Sequence, residues 1–218
     1  MGRRWLVLGT LVLLLFTGCQ TAPRAQYALG TLLYQDDFSQ PYHWDAFQQD
    51  NIQIGVKDGA YEIRSDVRNF VRGFNDQMDN NVVIEVNARQ FSTENSNAFG
   101  VICRGSLGDA AAGYYFLIGG DGTYSIRRGR GDQIEALVAW SRTGAVHTGT
   151  DKNVIRVVCV DNYLALYVNG DLVADAYDSS FQKGFTGFAA AVTQGGTIDV
   201  TFDNLKIWSA TLQSHAGS

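Results

Sequence analysis

Apolar and polar side chains alternate with a period of two through most of this chain. Val82, Ile84, Val86 and Ala88 share one side of the run 81–89, and Glu85, Asn87 and Arg89 share the other. Leu164, Leu166 and Val168 alternate in the same way with Tyr163, Ala165 and Tyr167. Successive side chains of a strand point to opposite sides, so this spacing predicts strands with one face on a core. Turn residues punctuate the runs. Asp161-Asn162 separates 152–160 from 163–168, Asn169-Gly170 leads into 171–174, and Gly119-Gly-Asp-Gly122 separates 114–118 from 123–127. Asn, Asp and Gly tolerate the backbone that tight turns require, so each is a hairpin signal. No segment sustains a 3.6-residue period. About a dozen short strands, spaced roughly 8–12 residues apart, predict an all-β fold, a two-sheet antiparallel β-sandwich.

The closing run carries an irregularity. Its apolar positions are Ile198, Val200 and Phe202, then Leu205 and Ile207, on the opposite parity. A strand changes faces only by taking in an extra residue, so a bulge is predicted near Asp203-Asn204.

The N-terminus follows a different pattern. Arg3 and Arg4 precede an apolar run from Trp5 to Phe16, which is short against the ~20 residues a membrane helix needs. The run ends in Thr17-Gly18-Cys19 and resembles a bacterial lipoprotein signal. That resemblance implies diacylglycerol on Cys19 and removal of residues 1–18. Two or three acyl chains on one cysteine anchor a protein stably, so a lipid-anchored membrane partner is expected. Gln20 stands where some lipoproteins carry an Asp that retains them at an inner membrane. The expected location is therefore the cell envelope, at an outer membrane or the outer face of a plasma membrane. Residues 19–30 are read as Cys19 with a short tether, 31–209 as the domain, and 210–218 as a disordered tail.

Charge narrows the partners. The chain has 17 Lys and Arg against 22 Asp and Glu; loss of Arg3 and Arg4 leaves 15 against 22, a net −7. An acidic surface argues against nucleic acid, whose affinity comes from cations on phosphates. Besides Cys19, the cysteines are Cys103 and Cys159, both inside apolar runs. Two readings stand: a disulfide in an oxidising compartment, or two buried thiols acting as small hydrophobes.

Several short motifs occur in a suggestive order: Asp36-Asp-Phe-Ser39 with Trp44, Phe99-Gly-Val-Ile-Cys-Arg104, Gly113-Tyr-Tyr-Phe116, Tyr167-Val-Asn-Gly-Asp171, Ser179-Ser-Phe181, Gly187-Phe188 and Phe202-Asp-Asn-Leu-Lys-Ile-Trp208. Over residues 33–208 the chain resembles the concanavalin A-like, laminin-G-like jelly rolls, and among them the domains grouped with 3-keto-disaccharide hydrolases. The resemblance implies two antiparallel sheets, one of them concave, and a hydrolase activity on a modified disaccharide.

The residues do not supply the usual hydrolytic set. Retaining glycosidases need two carboxylates about 5 Å apart. The four glutamates are Glu62, Glu85, Glu94 and Glu135, and none has an acid two positions on. His43, His147 and His215 show no ligand spacing, and there is no Gly-x-Ser-x-Gly elbow. A binding surface is the expected alternative: Glu85, Asn87, Arg89, Arg104, Tyr115, Arg127 and Trp140 are the candidate ligand contacts. Aromatic faces stack on sugar C–H patches, and Arg or carboxylate groups bridge hydroxyls. Such polar residues also occur on any solvated sheet face, paired across strands. Structural calcium is a further candidate, at Asp36, Asp37, Asp203 and Asn204, if the first and last strands pair. The leading reading is a membrane-anchored, non-catalytic domain that binds carbohydrate or another envelope component. The alternatives are a 3-keto-disaccharide hydrolase, with Glu85 as the expected catalytic group, and a scaffold that docks an envelope protein.

Overall fold

The computed structural model describes residues 25–108 and 111–213, and Cys19 lies outside them. The described residues form fifteen strands and no helix. In chain order they are β1 (Gln26–Asp36), β2 (Phe47–Gln49), β3 (Ile52–Lys57), β4 (Ala60–Ser65), β5 (Val71–Asp79), β6 (Val82–Gln90), β7 (Ala98–Gly105) and β8 (Gly113–Gly119). They continue with β9 (Thr123–Arg130), β10 (Gln133–Arg142), β11 (Asn153–Val160), β12 (Tyr163–Val168), β13 (Asp171–Tyr177), β14 (Gly184–Ala191) and β15 (Ile198–Gln213). Nine strands form one sheet, in the order β13-β12-β11-β6-β15-β4-β3-β2, with β1 on β15. Six form the other, in the order β10-β9-β8-β7-β14-β5. All the pairings are antiparallel. The fold is a two-sheet antiparallel sandwich.

The alternation decides what lies between the sheets. Val82, Ile84 and Val86 of β6 meet Val101 and Cys103 of β7, Phe116 of β8 and Phe188 of β14 in one continuous core. At one end an aromatic stack fills it. Phe188 lies between Trp44, at 4.9 Å, and Phe202, at 4.1 Å, both rings nearly parallel to it. Tyr61 joins the same cluster, and Gly73 leaves the space for it: a Cβ there would meet the Tyr61 hydroxyl. The Asp36-Asp37-Phe38 motif frames this end of the core. Asp36 accepts hydrogen bonds from Trp44 Nε1, the Tyr34 hydroxyl and the Phe38 amide.

The turns follow their residues. Asn169 and Gly170 both have positive φ, 53° and 95°, in the turn from β12 to β13. Asn204 has φ 55°, and the β15–β6 register shifts between Asp203 and Lys206. That bulge moves Leu205 and Ile207 to the core side.

A disulfide joins Cys103 of β7 to Cys159 of β11 and so ties one sheet to the other. The strands also reach further than the alternation suggested. β1 takes in residues 26–30, read above as tether, and β15 runs to Gln213 through residues read as tail. The register slips twice within β1, around Gly30-Thr31 and Leu33, which hides its period; residues 210–213 are too few to show one. Together they form a two-stranded ribbon. Its Tyr27, Ala210 and Leu212 cover Val83, Val158 and Ala165 on the outer face of the nine-stranded sheet.

Candidate functional site

The seven candidate ligand contacts do not share one surface. Glu85, Asn87 and Arg89 lie on the outer face of the nine-stranded sheet, whereas Arg104, Tyr115, Arg127 and Trp140 belong to the six-stranded one. Alternation gives the side of a strand but not the sheet it joins, because pairing is long-range. Glu85 is held by Arg156, whose Nε donates to it at 2.7 Å. Arg89 donates to the Thr150 carbonyl and lies over Phe91. Trp140 is exposed on the edge strand β10.

Arg104 is a structural clamp, not a surface contact. Its φ of 54° departs from extended backbone, and it is only 3 % exposed. The guanidinium donates to the carbonyls of Asn80, Asp161, Phe181 and Cys159 and to the Asn81 side chain. Burial lowers its pKa, and all of these acceptors are uncharged amides.

The calcium donors are only partly gathered. Asp36, Asp37 and Asn204 line a depression of about 290 Å³ with Lys206, but Asp203 does not line it. Asp36 is spent on Tyr34, Trp44 and Phe38, and Asp37 accepts from the Ser39 amide. Among the described residues no three acidic, His or Cys side chains come together. A hard cation wants six to eight oxygens, so this set, with an ammonium beside it, does not fit one.

A groove does form, on the outer face of the six-stranded sheet. It holds about 560 Å³ and is lined by Arg68, Asn69, Phe70, Arg72, Ala111, Tyr115, Gly131, Asp132 and Ile134. A second depression of about 590 Å³ adjoins it and shares Asn69, Phe70 and Arg72; its remaining lining includes Phe47, Ile52, Ile54 and Val67. Both lie within the size range of ligand pockets. The floor is built by alternation. Tyr115, Leu117, Ile102 and Ala189 face outward from the strands whose other side chains fill the core.

The groove's contacts are polar at the edges and aromatic in the middle. The Phe70 and Tyr115 rings are 5.6 Å apart. Arg72 Nη1 lies 3.4 Å from the Tyr115 hydroxyl, and its guanidinium is 5.4 Å from the Phe74 ring. Tyr115 also donates to the Ala111 carbonyl at 2.9 Å. Arg127 faces the same side, in register with Tyr115, and donates to the Ile134 carbonyl; burial lowers its pKa. Of the sequence candidates, Tyr115 lines this groove and Arg127 neighbours it. Arg68, Phe70, Arg72 and Asp132 were missed. The signal was present: Arg68-Asn-Phe-Val-Arg72 alternates basic and aromatic residues around Val71, which faces the core.

No protein-family model and no curated protein sequence matches the chain. Solved structures do. The carbohydrate-binding module CBM66 from Bacillus subtilis matches with a TM-score of 0.61 at 15% identity, over 80% of this chain and 97% of that one. A Bacillus subtilis protein of unknown function with a galectin-like fold gives 0.62 at 11%, over 85% and 99%. A glycoside hydrolase family 16 enzyme from a Bacteroides ovatus mixed-linkage glucan locus gives 0.59 at 12%, over 81% and 100%. At these identities the likeness is one of fold: an all-β jelly roll.

Proposed function

We propose that this chain is a non-catalytic carbohydrate-binding module, held at the cell envelope by lipid on Cys19. The observation that carries the binding reading is the groove itself. It sets the half-buried Phe70 ring, backed by the buried Tyr115 ring, between arginines on an otherwise acidic protein. Sugar rings present flat C–H faces to aromatics and paired oxygens to guanidinium forks. The fold is one that a carbohydrate-binding module shares, which is consistent with this use. Glycoside hydrolysis needs two carboxylates astride the scissile bond. Among the described residues, the groove and its adjoining depression offer one lining carboxylate each, Asp132 and Asp45, the latter accepting from the Phe74 amide, and Glu85 lies on the other sheet. Both facts favour binding over turnover.

A glycan array probed with the full-length chain in detergent tests the reading. Binding should appear and fall sharply in Phe70→Ala, with no release of shortened sugars. If no saccharide binds, the reading fails and a protein-docking role takes its place; turnover of a disaccharide would overturn the non-catalytic part.

A further inference from the structure

The groove has more positive charge than a neutral sugar requires. Several arginines outside the groove meet carboxylates: Arg64 pairs with Asp199, Arg128 with Glu135 and Asp178, Arg142 with Asp121, and Arg156 with Glu85, while Arg89 and Arg104 meet neutral groups. Among the described residues, the arginines at the groove pair with no carboxylate. Arg68 is exposed and makes no ion pair among the described residues. Arg72 makes no ion pair among the described residues; its contacts are with the Tyr115 hydroxyl and the Phe74 ring. Arg127, across from Tyr115, donates to Ser125 Oγ and to the Ile134 carbonyl, both neutral. Among the described residues two guanidinium groups, with Arg127 beside them, thus share the groove with one lining carboxylate, Asp132, and with Asp45 in the adjoining depression, in a chain whose acids outnumber its bases, 22 to 17.

Position matters as much as charge. Arg68 and Arg72 flank Phe70 at alternate positions, and Arg72 is half-buried against two rings. A guanidinium held in this way has lost part of its freedom before a ligand arrives, and its fork matches a carboxylate or a sulfate with two parallel hydrogen bonds.

Resting on the glycan reading above, we propose that the groove selects acidic saccharides. The C–H face of a sugar ring lies on Phe70, while Arg68 and Arg72 grip a carboxylate or sulfate on that ring or its neighbour.

The test is calorimetry on the full-length chain in detergent with three probes of matched length: an oligouronate, the same oligomer with its carboxyls reduced to alcohols, and a sulfated neutral oligosaccharide. The acidic probes should bind at least about tenfold more tightly than the reduced one, with affinity falling as salt rises. The ratio between carboxylated and sulfated probes identifies the anion. Arg68→Gln and Arg72→Gln should each cost about tenfold on the acidic probe and little on the reduced one, with Arg68→Lys in between. Because Arg68 is exposed, its variants should melt with the parent. Equal binding of the acidic and reduced probes, still weakened by Phe70→Ala, would overturn the acidic selection and leave the glycan reading standing. Binding of none of the three, alongside a blank glycan array, would remove both.

Discussion

Arg104 donates a hydrogen bond from Nη2 to the carbonyl of Cys159 at 3.3 Å, and the residue before it, Cys103, is disulfide-bonded to the same Cys159. The two sheets are therefore fastened twice at one place, once covalently and once through a buried cation. Arg104→Ala would take a donor from the buried Cys159 carbonyl and from the part-buried carbonyls of Asn80, Asp161 and Phe181, while Asn81 Oδ1 would keep the Asp161 amide. An unpartnered buried acceptor costs about 1–3 kcal/mol, and water entering the gap would meet part of that cost. The expected loss is about 3 kcal/mol or more in denaturant unfolding, with glycan binding at the groove kept wherever the fold survives.

The disulfide closes a loop between residues 56 apart. Loop-closure entropy for that span gives about 4 kcal/mol of stabilisation. Replacing both cysteines with Ala should lower the unfolding free energy by an amount of that order. The loss should not add simply to that of Arg104→Ala, because the two sites share Cys159. Purely additive losses would show that the clamp and the bridge act independently.

Asp79, at the end of β5, has a buried Oδ2 with no hydrogen-bond partner among the described residues, and burial raises its pKa. The native state therefore favours the neutral carboxyl. A carboxyl whose folded pKa is raised contributes its stability below the unfolded value, and that contribution is lost as pH rises through the folded one. Asp79→Asn does not ionise, so at pH 7 it should melt higher than the parent. A difference of about 1 kcal/mol would appear as about 2–4 °C. The gain should shrink as the pH is lowered into and below the ordinary carboxylate range. A gain independent of pH would point to packing instead.

Glu85 and Phe70 separate the two faces. Glu85→Gln removes the charge that meets Arg156 on the nine-stranded sheet, far in the fold from the groove. It should leave glycan affinity unchanged and alter stability by no more than about 1 kcal/mol. Phe70→Ala should weaken binding by about 1–2 kcal/mol, read by titration. The reverse ranking would place the ligand on the opposite sheet.

The anchor is tested at Cys19. Cys19→Ser should release the chain from membranes or leave it as an unprocessed precursor, and should abolish incorporation of labelled fatty acid. Label retained in the variant would refute lipid at this residue.

Much of the fold was legible because its cues are local. Alternation at Val82, Ile84 and Val86 gave the core face, Asn169-Gly170 gave a turn, and the parity change after Phe202 gave the bulge. The candidate surface was less legible because membership of a sheet is decided by partners far away in sequence. Glu85 and Arg127 both face outward on their own strands, yet they point away from opposite sides of the sandwich. Arg104 misled for a different reason: a left-handed backbone at one residue overrode the alternation around it. Arg68, Phe70 and Arg72 obey the period-two pattern but sit where a connecting segment becomes β5, with no long apolar run to mark them.

The ribbon of β1 and β15 gives the molecule a front and a back. It lies on the outside of the nine-stranded sheet, and the groove opens on the outside of the other. A chain fastened through the residues that precede β1 is fastened by its back, with the thickness of two sheets, about 10 Å between their backbones, separating the attachment from the groove. On the lipid-anchor reading, the groove would open away from the surface to which the chain is tied, and a ligand on that side would be a soluble chain or part of an opposing layer.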